Sequence, residues 1–257
     1  MSNSAAILTR LYNSERWMNS VVEQVRALKG EVTWRVMYSE GGDDNTRKIL
    51  MDELTKGFPG NVCVIVTITP KINAQEAICR LMEQVTEDEL YIFDDDNWFY
   101  PSRVRLHRDI CNSPQGICAV TTVGIKNGRI WKYYPPYPTP EGMDVIIDAG
   151  AMRIKREYAQ KRLVPATRKA LAGGEGPGLY EDRFWAALAI KDGELCTHAY
   201  PLHFYGFRDD SQMARMGWER QERLFDWTSQ KIVEALRGKL TEEETHQVLG
   251  AKLMREK

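Results

Sequence analysis

At 257 residues, with 43% hydrophobic and 28% charged side chains, the chain is long enough to bury a substantial core as one large α/β domain. Its 35 Lys and Arg stand against 36 Asp and Glu, which excludes a global field for polyanions, so nucleic acid or an anionic membrane could be met only by a local patch. Five cysteines without a C-x-x-C pair argue against a disulfide framework and a zinc cage; with no signal-like start and no apolar run of about 18 residues, the expectation is a cytoplasmic protein without a membrane span.

Short apolar runs alternate with segments of helical period through the first half, the pattern of a mostly parallel sheet covered by helices. Strands are expected at Ala5–Thr9, Trp34–Ser39, Val62–Thr67 and Leu90–Phe93. Trp17, Val21, Val25 and Leu28 recur at spacings of three and four, which predicts a helix from Ser14, its N-cap, to Lys29. Further helices are expected at Thr46–Lys56, Ala74–Val85 and Pro101–Cys111, the last opened by its proline.

Beyond these, Thr121–Ile125 and Gly128–Tyr134 read as a hairpin running into the aromatic, proline-rich loop Trp131–Pro138, and Val145–Ile147 is strand-like. Arg153 to Arg162 is basic, and Gly173–Gly178 is a flexible loop of the composition of a lid before Glu181-Asp182 and a helix over Arg183–Ile190. Met216–Lys257 reads as a polar helical tail with apolar contacts from Trp218, Leu224, Phe225 and Trp227, and Thr241-Glu242-Glu243-Glu244 has the form of a capping box.

The chemistry concentrates at Asp94-Asp95-Asp96, directly after an apolar strand and so at its carboxyl end, where α/β sheets place their ligands. Adjacent carboxylates repel, and a hard divalent ion offsets that cost. Alternate residues of extended chain point the same way, so Asp94 and Asp96 face a cleft together, and oxygen ligands suit Mn²⁺ or Mg²⁺. The alternative for the same residues is a solvated acidic turn ahead of the helix near Pro101.

The segment Tyr91–Pro101 resembles the D-x-D region of GT-A glycosyltransferases, the large inverting family 2 in particular. Ile7–Asn13 resembles that family's first strand and Thr-x-Tyr-Asn turn, and Tyr38–Thr46 its second-strand acidic segment, with Ser39 in place of the first aspartate and Glu40 keeping an acid. Asp148–Glu157 is similar to the glycine-containing acceptor strand, Tyr180–Trp185 to the Glu-Asp motif, and Pro201-Leu202-His203 to the late metal-binding histidine. The resemblance covers about residues 5 to 205. It implies a GT-A domain over residues 1–210, with a nucleotide-sugar half to about 110 and an acceptor half from 111, followed by a helical extension over 211–257.

What the resemblance implies for function is a metal-dependent inverting glycosyltransferase, hexosyl or pentosyl, that uses a nucleotide-sugar donor, a UDP-sugar first. Asp96 is the expected direct ligand of Mn²⁺ or Mg²⁺, Asp94 holds the donor ribose or binds the ion through water, and Asp95 lies beside them. His203 is the expected late ligand, in preference to His198. Asp182 is the expected catalytic base, with a helix N-cap as its structural alternative. Thr9, Tyr12 and Glu40 line the expected base and ribose pocket, Arg80 or Lys71 replaces a polar contact to the donor, and Arg208 reaches the diphosphate or pairs with a neighbouring aspartate.

The acceptor is open at this point: a saccharide, lipid-linked or protein hydroxyl, or a modified base in DNA as in bacteriophage-type enzymes, for which Trp131–Tyr137 and the basic residues Arg153, Lys155, Arg156, Lys161 and Arg162 would supply stacking and phosphate contacts. A non-catalytic nucleotide-sugar binder is the alternative from another class. Phosphoryl transfer lacks its glycine loop, since Thr9–Asn13 contains none.

Overall fold

A computed structural model of the chain describes residues 4–111, 113–126, 129–134, 136, 147–172, 179–207 and 218–250. The first four strands, β1 (Ala5–Leu11), β2 (Val32–Ser39), β3 (Val62–Thr69) and β4 (Glu89–Ile92), are all parallel in the order β3-β2-β1-β4. Helices α1 (Glu15–Arg26), α2 (Thr46–Lys56) and α3 (Ala74–Gln84) make the crossovers between them. The sheet continues through β7 (Met152–Lys155), antiparallel to β4, into β5 (Ile117–Lys126). One edge of β5 pairs with β7 and then with β6 (Arg129–Tyr134), while the other carries β8 (Leu195–Phe207) in parallel along its whole length.

Period-two alternation distributes the strands between two cores. Ala5, Ile7 and Leu11 of β1, Trp34, Val36 and Tyr38 of β2, and Tyr91 beside Phe93 pack with α1 and α2. Ala6, Leu8, Met37, Leu90 and Ile92 point the other way, onto α3, α7 (Glu181–Asp192) and the tail helix α8 (Trp218–Ala235). Strands covered on both faces read as continuous apolar runs, and for that reason β5 begins at Ile117, four residues before the expected hairpin strand.

Several local expectations shift for identifiable reasons. The buried stripe of α1 is Met18, Val21, Val22 and Val25, while Trp17 lies half-buried under the Arg16 guanidinium. Ser14 precedes α1, but its hydroxyl does not cap the helix, because it accepts the Tyr12 N–H and bonds Asp95. Helix α4 (Arg103–Ile110) starts two residues after Pro101. Glu181 and Asp182 form the first turn of α7 and are not its N-cap, a position held by Tyr180.

The expected acceptor strand from Asp148 is a 3-10 turn, Ala149–Ala151, before the short β7, since the Asp148 carboxylate takes the Gly150 N–H at 2.7 Å. Ile147 lies outside any strand, and Val145 is not among the described residues.

The basic run is buried only at Arg153. Arg153 is 3% exposed and bonds Glu89 and the Cys111 and Ser113 carbonyls. Arg156, Arg162 and Arg168, on the helical segment formed by α5 (Arg156–Tyr158), a π turn (Ala159–Leu163) and α6 (Val164–Leu171), pair with Asp88, Asp192 and Glu83. Lys155 bonds the Pro114 carbonyl and Lys161 pairs with Glu157. Arg153 is thus enclosed, while Arg156, Lys161 and Arg168 make their pairs at the surface.

The tail contributes Ile232, Leu236 and Val248 to the second core. Its last helix, α9 (Glu242–Gly250), opens with the expected capping box: Glu244 N–H donates to Thr241 Oγ1 and Thr241 N–H to Glu244 Oε2. Among the described residues no helix is long and apolar enough to cross a membrane.

Candidate active site

The parallel register Leu8↔Ile92 brings the ends of β1 and β4 out side by side, and Arg10 and Asp94 meet there. Arg10 shares the face of Leu8, opposite Thr9. Its guanidinium bonds Asp94 Oδ1 at 2.7 Å and Glu181 Oε1 at 2.6 Å, so one cation joins the aspartate turn to the start of α7. Burial opposes this charge, but the two carboxylates outweigh it and hold Arg10 firmly protonated. Arg10→Met would leave both acids without their counter-charge. The expected loss is about 2 kcal/mol, below the ~3–5 of a fully buried pair because both acids keep some solvent. Calorimetry checks this, and an unchanged Tm would show that the pair contributes nothing.

The aspartate turn closes through Asn97 N–H to the Asp94 carbonyl at 3.1 Å, and Trp98 N–H to the Phe204 carbonyl at 3.1 Å stitches it to β8. That bridge places the acids beside His203 and Tyr205. Burial, then the charge of Asp94, pushes the Asp95 carboxyl up to about 6, against the Ser14 hydroxyl and Arg10. Burial likewise raises the Tyr205 phenol, and the charges of Asp148, Asp96, Asp94 and Asp182 all add to the shift. Four carboxylates from three segments therefore lie within electrostatic reach of Tyr205.

Beneath them lies a buried polar chain. Arg103, fully buried at the start of α4, donates to His203 Nδ1 at 3.2 Å and to the Gly150 carbonyl, and its guanidinium lies 4.7 Å from the Phe99 ring centroid. Arginine can only donate, so Nδ1 accepts and the His203 proton sits on Nε2. Nε2 stands 2.9 Å from Asp148 Oδ1 at too skewed an angle for a good hydrogen bond. Although burial works against its charge, Asp148 is held below the usual carboxylate range by His203, the Gly150 N–H and Arg103.

Gly150 is required by close approach: a Cβ there would stand 2.4 Å from His203 Cε1 and 2.7 Å from Asp148 Oδ1. Gly150→Ala should therefore displace the His203 ring and cost about 1–3 kcal/mol by overpacking. A lowered Tm together with a shifted His203 imidazole resonance is the expected result, and an unmoved ring would contradict it.

Asp182 stands in the first turn of α7, which the tail holds in place. Tyr180 N–H donates to Thr228 Oγ1 at 3.0 Å, Arg183 Nη1 donates to Ser229 Oγ at 2.7 Å, and the Arg183 guanidinium lies 4.0 Å from the Phe225 centroid. Burial, then the charges of Asp148 and Glu181, pushes the Asp182 carboxyl up to about 8, while the Arg183 N–H pulls the other way. A carboxyl poised near neutrality in a cleft is suited to taking a proton.

No family model matches the chain, and no curated protein sequence matches it. Solved structures do. The chain is similar to residues 1–349 of TarS from S. aureus, in complex with UDP-GlcNAc, at TM-score 0.69 and 12% identity over 96% of this chain and 70% of that one. The mannosyltransferase PcManGT from Pyrobaculum calidifontis, in complex with GDP-Man and Mn²⁺, superposes at TM-score 0.61 and 11% identity over 96% and 68%. Glucosyl-3-phosphoglycerate synthase from Mycobacterium tuberculosis, in complex with phosphoglyceric acid, does so at 0.51 and 12% over 91% and 80%.

The fold is GT-A. At these identities the likeness establishes architecture, and within the GT-A frame the expected site residues fall into two groups. Asp94, Asp95, Asp96, Asp182 and His203 gather around the carboxyl edge of β4 and the middle of β8.

The donor-side residues are more dispersed. Thr9 is fully buried, and its hydroxyl accepts from Trp34 Nε1 at 2.9 Å. Tyr12 lies exposed with Lys71 Nζ 4.9 Å from its ring, and Glu40 pairs with Arg47 at 3.0 Å beside an open hollow of about 490 Å³. Arg80 bonds Glu76 at 2.7 Å and Thr69 at 3.4 Å. His198 contacts Cys196 and lies one register step from a β-bulge that separates it from His203. Arg208 and the glycine loop over 173–178 lie outside the described residues.

The donors are of the type a hard divalent ion takes: Asp94 keeps Oδ2 free of Arg10, which bonds Oδ1, and the Asp96 and Asp148 carboxylates act on the same Tyr205, though among the described residues the acids do not converge to ligand spacing on their own. His203 does not fit as a direct ligand while Arg103 occupies Nδ1, because Nε2 then carries a proton. Arg103 and Tyr205 carry no role in the motifs read from sequence, whereas Arg10 and Asp148 lie within those motifs without a role of their own; strand alternation points to Arg10 as the partner of Asp94.

Proposed function

We propose that the chain is a divalent-metal-dependent glycosyltransferase that moves a sugar from a nucleoside-diphosphate sugar, a UDP-sugar first, to an acceptor hydroxyl with inversion. The observation that carries this is the joining of the aspartate turn to the start of α7 in a GT-A fold: Arg10 bonds Asp94 at 2.7 Å and Glu181 at 2.6 Å, and burial pushes the carboxyl of the adjacent Asp182 up to about 8. Asp182 takes the acceptor hydroxyl's proton as its oxygen attacks the anomeric carbon, the bond to the donor diphosphate breaks, and one displacement inverts the centre. Asp96 would hold Mn²⁺ or Mg²⁺, with Asp94 on the ion or on the donor ribose; when bound, the ion stabilises negative charge on the departing diphosphate. Arg10 keeps Asp94 and Glu181 in place. His203 would join as a ligand only once Arg103 releases Nδ1, and otherwise serves by steadying Asp148.

The neighbours' complexes with UDP-GlcNAc and with GDP-Man and Mn²⁺ support a donor of this class. Glu40 lines the hollow at the end of β2 proposed for the nucleoside, Tyr12 reaches its rim through the Gly41 carbonyl at 3.5 Å, and Arg208 is proposed for the diphosphate. Arg153, buried and paired with Glu89, is not available to a DNA phosphate, and a saccharide hydroxyl is the acceptor proposed. Thermal shift with UDP and Mn²⁺ tests the site: UDP at about 100 times its Kd should stabilise by ~2.7 kcal/mol, with metal only. Asp96→Ala should remove the effect, and equal stabilisation in the variant would refute the proposed site.

A further inference from the structure

The second cluster of chemically competent side chains lies below the cleft, where α4, β5 and β8 meet. His107 and Cys111 are one helical turn apart, Cys111 being the C-cap of α4, and so share a face. Cys118 is the second residue of β5, and the parallel register sets Cys196 of β8 directly beside it. The ligand atoms of His107, Cys111 and Cys118 all lie within 4.8 Å of one another, and those of Cys118, Cys196 and His198 do the same, so Cys118 belongs to both sets. Cys196 Sγ is 3.3 Å from His198 Nε2.

His107 is the telling member. It is completely buried, yet neither ring nitrogen has a hydrogen-bond partner. One nitrogen faces the Cys118 backbone, outside hydrogen-bonding geometry. A buried imidazole with two orphaned nitrogens costs stability, whereas a histidine that binds metal through one nitrogen commonly turns the other to a backbone carbonyl. The buried thiols of Cys111 and Cys118 alone would pass as small apolar side chains; the orphaned imidazole beside them is what a metal explains.

We propose that His107, Cys111, Cys118 and Cys196 form a structural zinc site. A tetrahedral Cys₃His set has Zn–S near 2.3 Å and Zn–N near 2.0 Å, which puts ligand atoms about 3.5–3.8 Å apart. His107, Cys111 and Cys118 already form one close set, and Cys196, which shares a set with Cys118 but not with His107 or Cys111, completes the tetrahedron by turning its side chain toward them. On binding, the three thiols release their protons to solvent, leaving a net single negative charge on the centre. The Arg153 guanidinium, which also pairs with Glu89, acts on His107, Cys111 and Cys118 and offsets part of that charge. Half-buried Cys196 supplies the entry side. The ion would pin α4, which carries Arg103, to β8, which carries His203, and so would act on the cleft through position alone.

The test uses the full chain, purified without chelator. Elemental analysis should find about one zinc per chain. After removal of zinc, Co²⁺ should give an intense thiolate-to-cobalt absorption band with tetrahedral d–d bands. Cys111→Ser and Cys196→Ser should each abolish or strongly weaken the thiolate band, while Cys63→Ser, at an exposed cysteine elsewhere, and Asp96→Ala should leave it intact. The Asp96→Ala control separates failure here from failure of the cleft metal. Folded wild-type protein that holds no zinc and gives no thiolate band with Co²⁺ overturns the proposal without recourse to any variant. So does a Cys111–Cys118 disulfide in the native protein, or a band that survives in the double serine variant.

Discussion

Asp182→Asn is expected to lower kcat by about 10²–10⁴-fold, the usual contribution of a positioned base, with little change in KM for the donor. The amide keeps Oδ1 as acceptor for the Arg183 N–H, so the start of α7 should hold its geometry. Since the carboxyl is raised to about 8, wild-type kcat should climb with pH up to that region and then level, and the residual rate of the variant should lose this dependence.

Stability should move the opposite way. Between the ordinary value of 3.8 and the folded value of about 8, the folded state holds a proton that the unfolded chain has lost, so stability falls as pH rises through that window. Asp182→Asn removes this penalty. The variant's Tm should match wild type near pH 4 and exceed it above about pH 8. An active variant would remove Asp182 from the base role, and a Tm difference independent of pH would show that the carboxyl is not buried as described.

Arg103→Met should be among the most damaging single changes outside the carboxylates. The guanidinium is buried, serves His203 Nδ1 and the Gly150 carbonyl, and counters the charge of Asp148. Removing one partner of such a group strands the others, at about 3–4 kcal/mol. At roughly 2–4 °C per kcal/mol for a chain of this size, Tm should fall by about 10 °C. The variant also frees Nδ1. Nitrogen NMR should find the His203 proton on Nε2 in the wild type and a population with the proton on Nδ1 in Arg103→Met. A wild-type imidazole protonated on Nδ1 would restore His203 as a ready metal ligand and would contradict the hydrogen-bond direction assigned to Arg103.

The first four strands and three helices were legible because their signals are local. Thr46–Lys56 appears with its expected bounds, and the Thr241–Glu244 capping box forms from four adjacent residues. The later segments were less legible. β5 is buried on both faces and shows no alternation to read, and the segment expected as the acceptor strand turns first because Asp148 captures the Gly150 N–H. The basic stretch from Arg153 could not be told from a binding surface, since its partners Glu89, Asp192 and Glu83 come from elsewhere in the chain.

By itself the sequence determined the alternation of strands and helices, the aspartate triplet at a strand end and the ordered set of short motifs around it, because each depends on neighbours within a few residues. Only the tertiary structure decided which charges meet. Arg10 joins Asp94 to Glu181, Arg103 fixes the His203 proton, and His107 comes to rest beside Cys111 at the end of its own helix and Cys118 of β5. Pairwise electrostatics and coordination act over a few ångströms of space regardless of distance along the chain, so periodicity and spacing carry no trace of them.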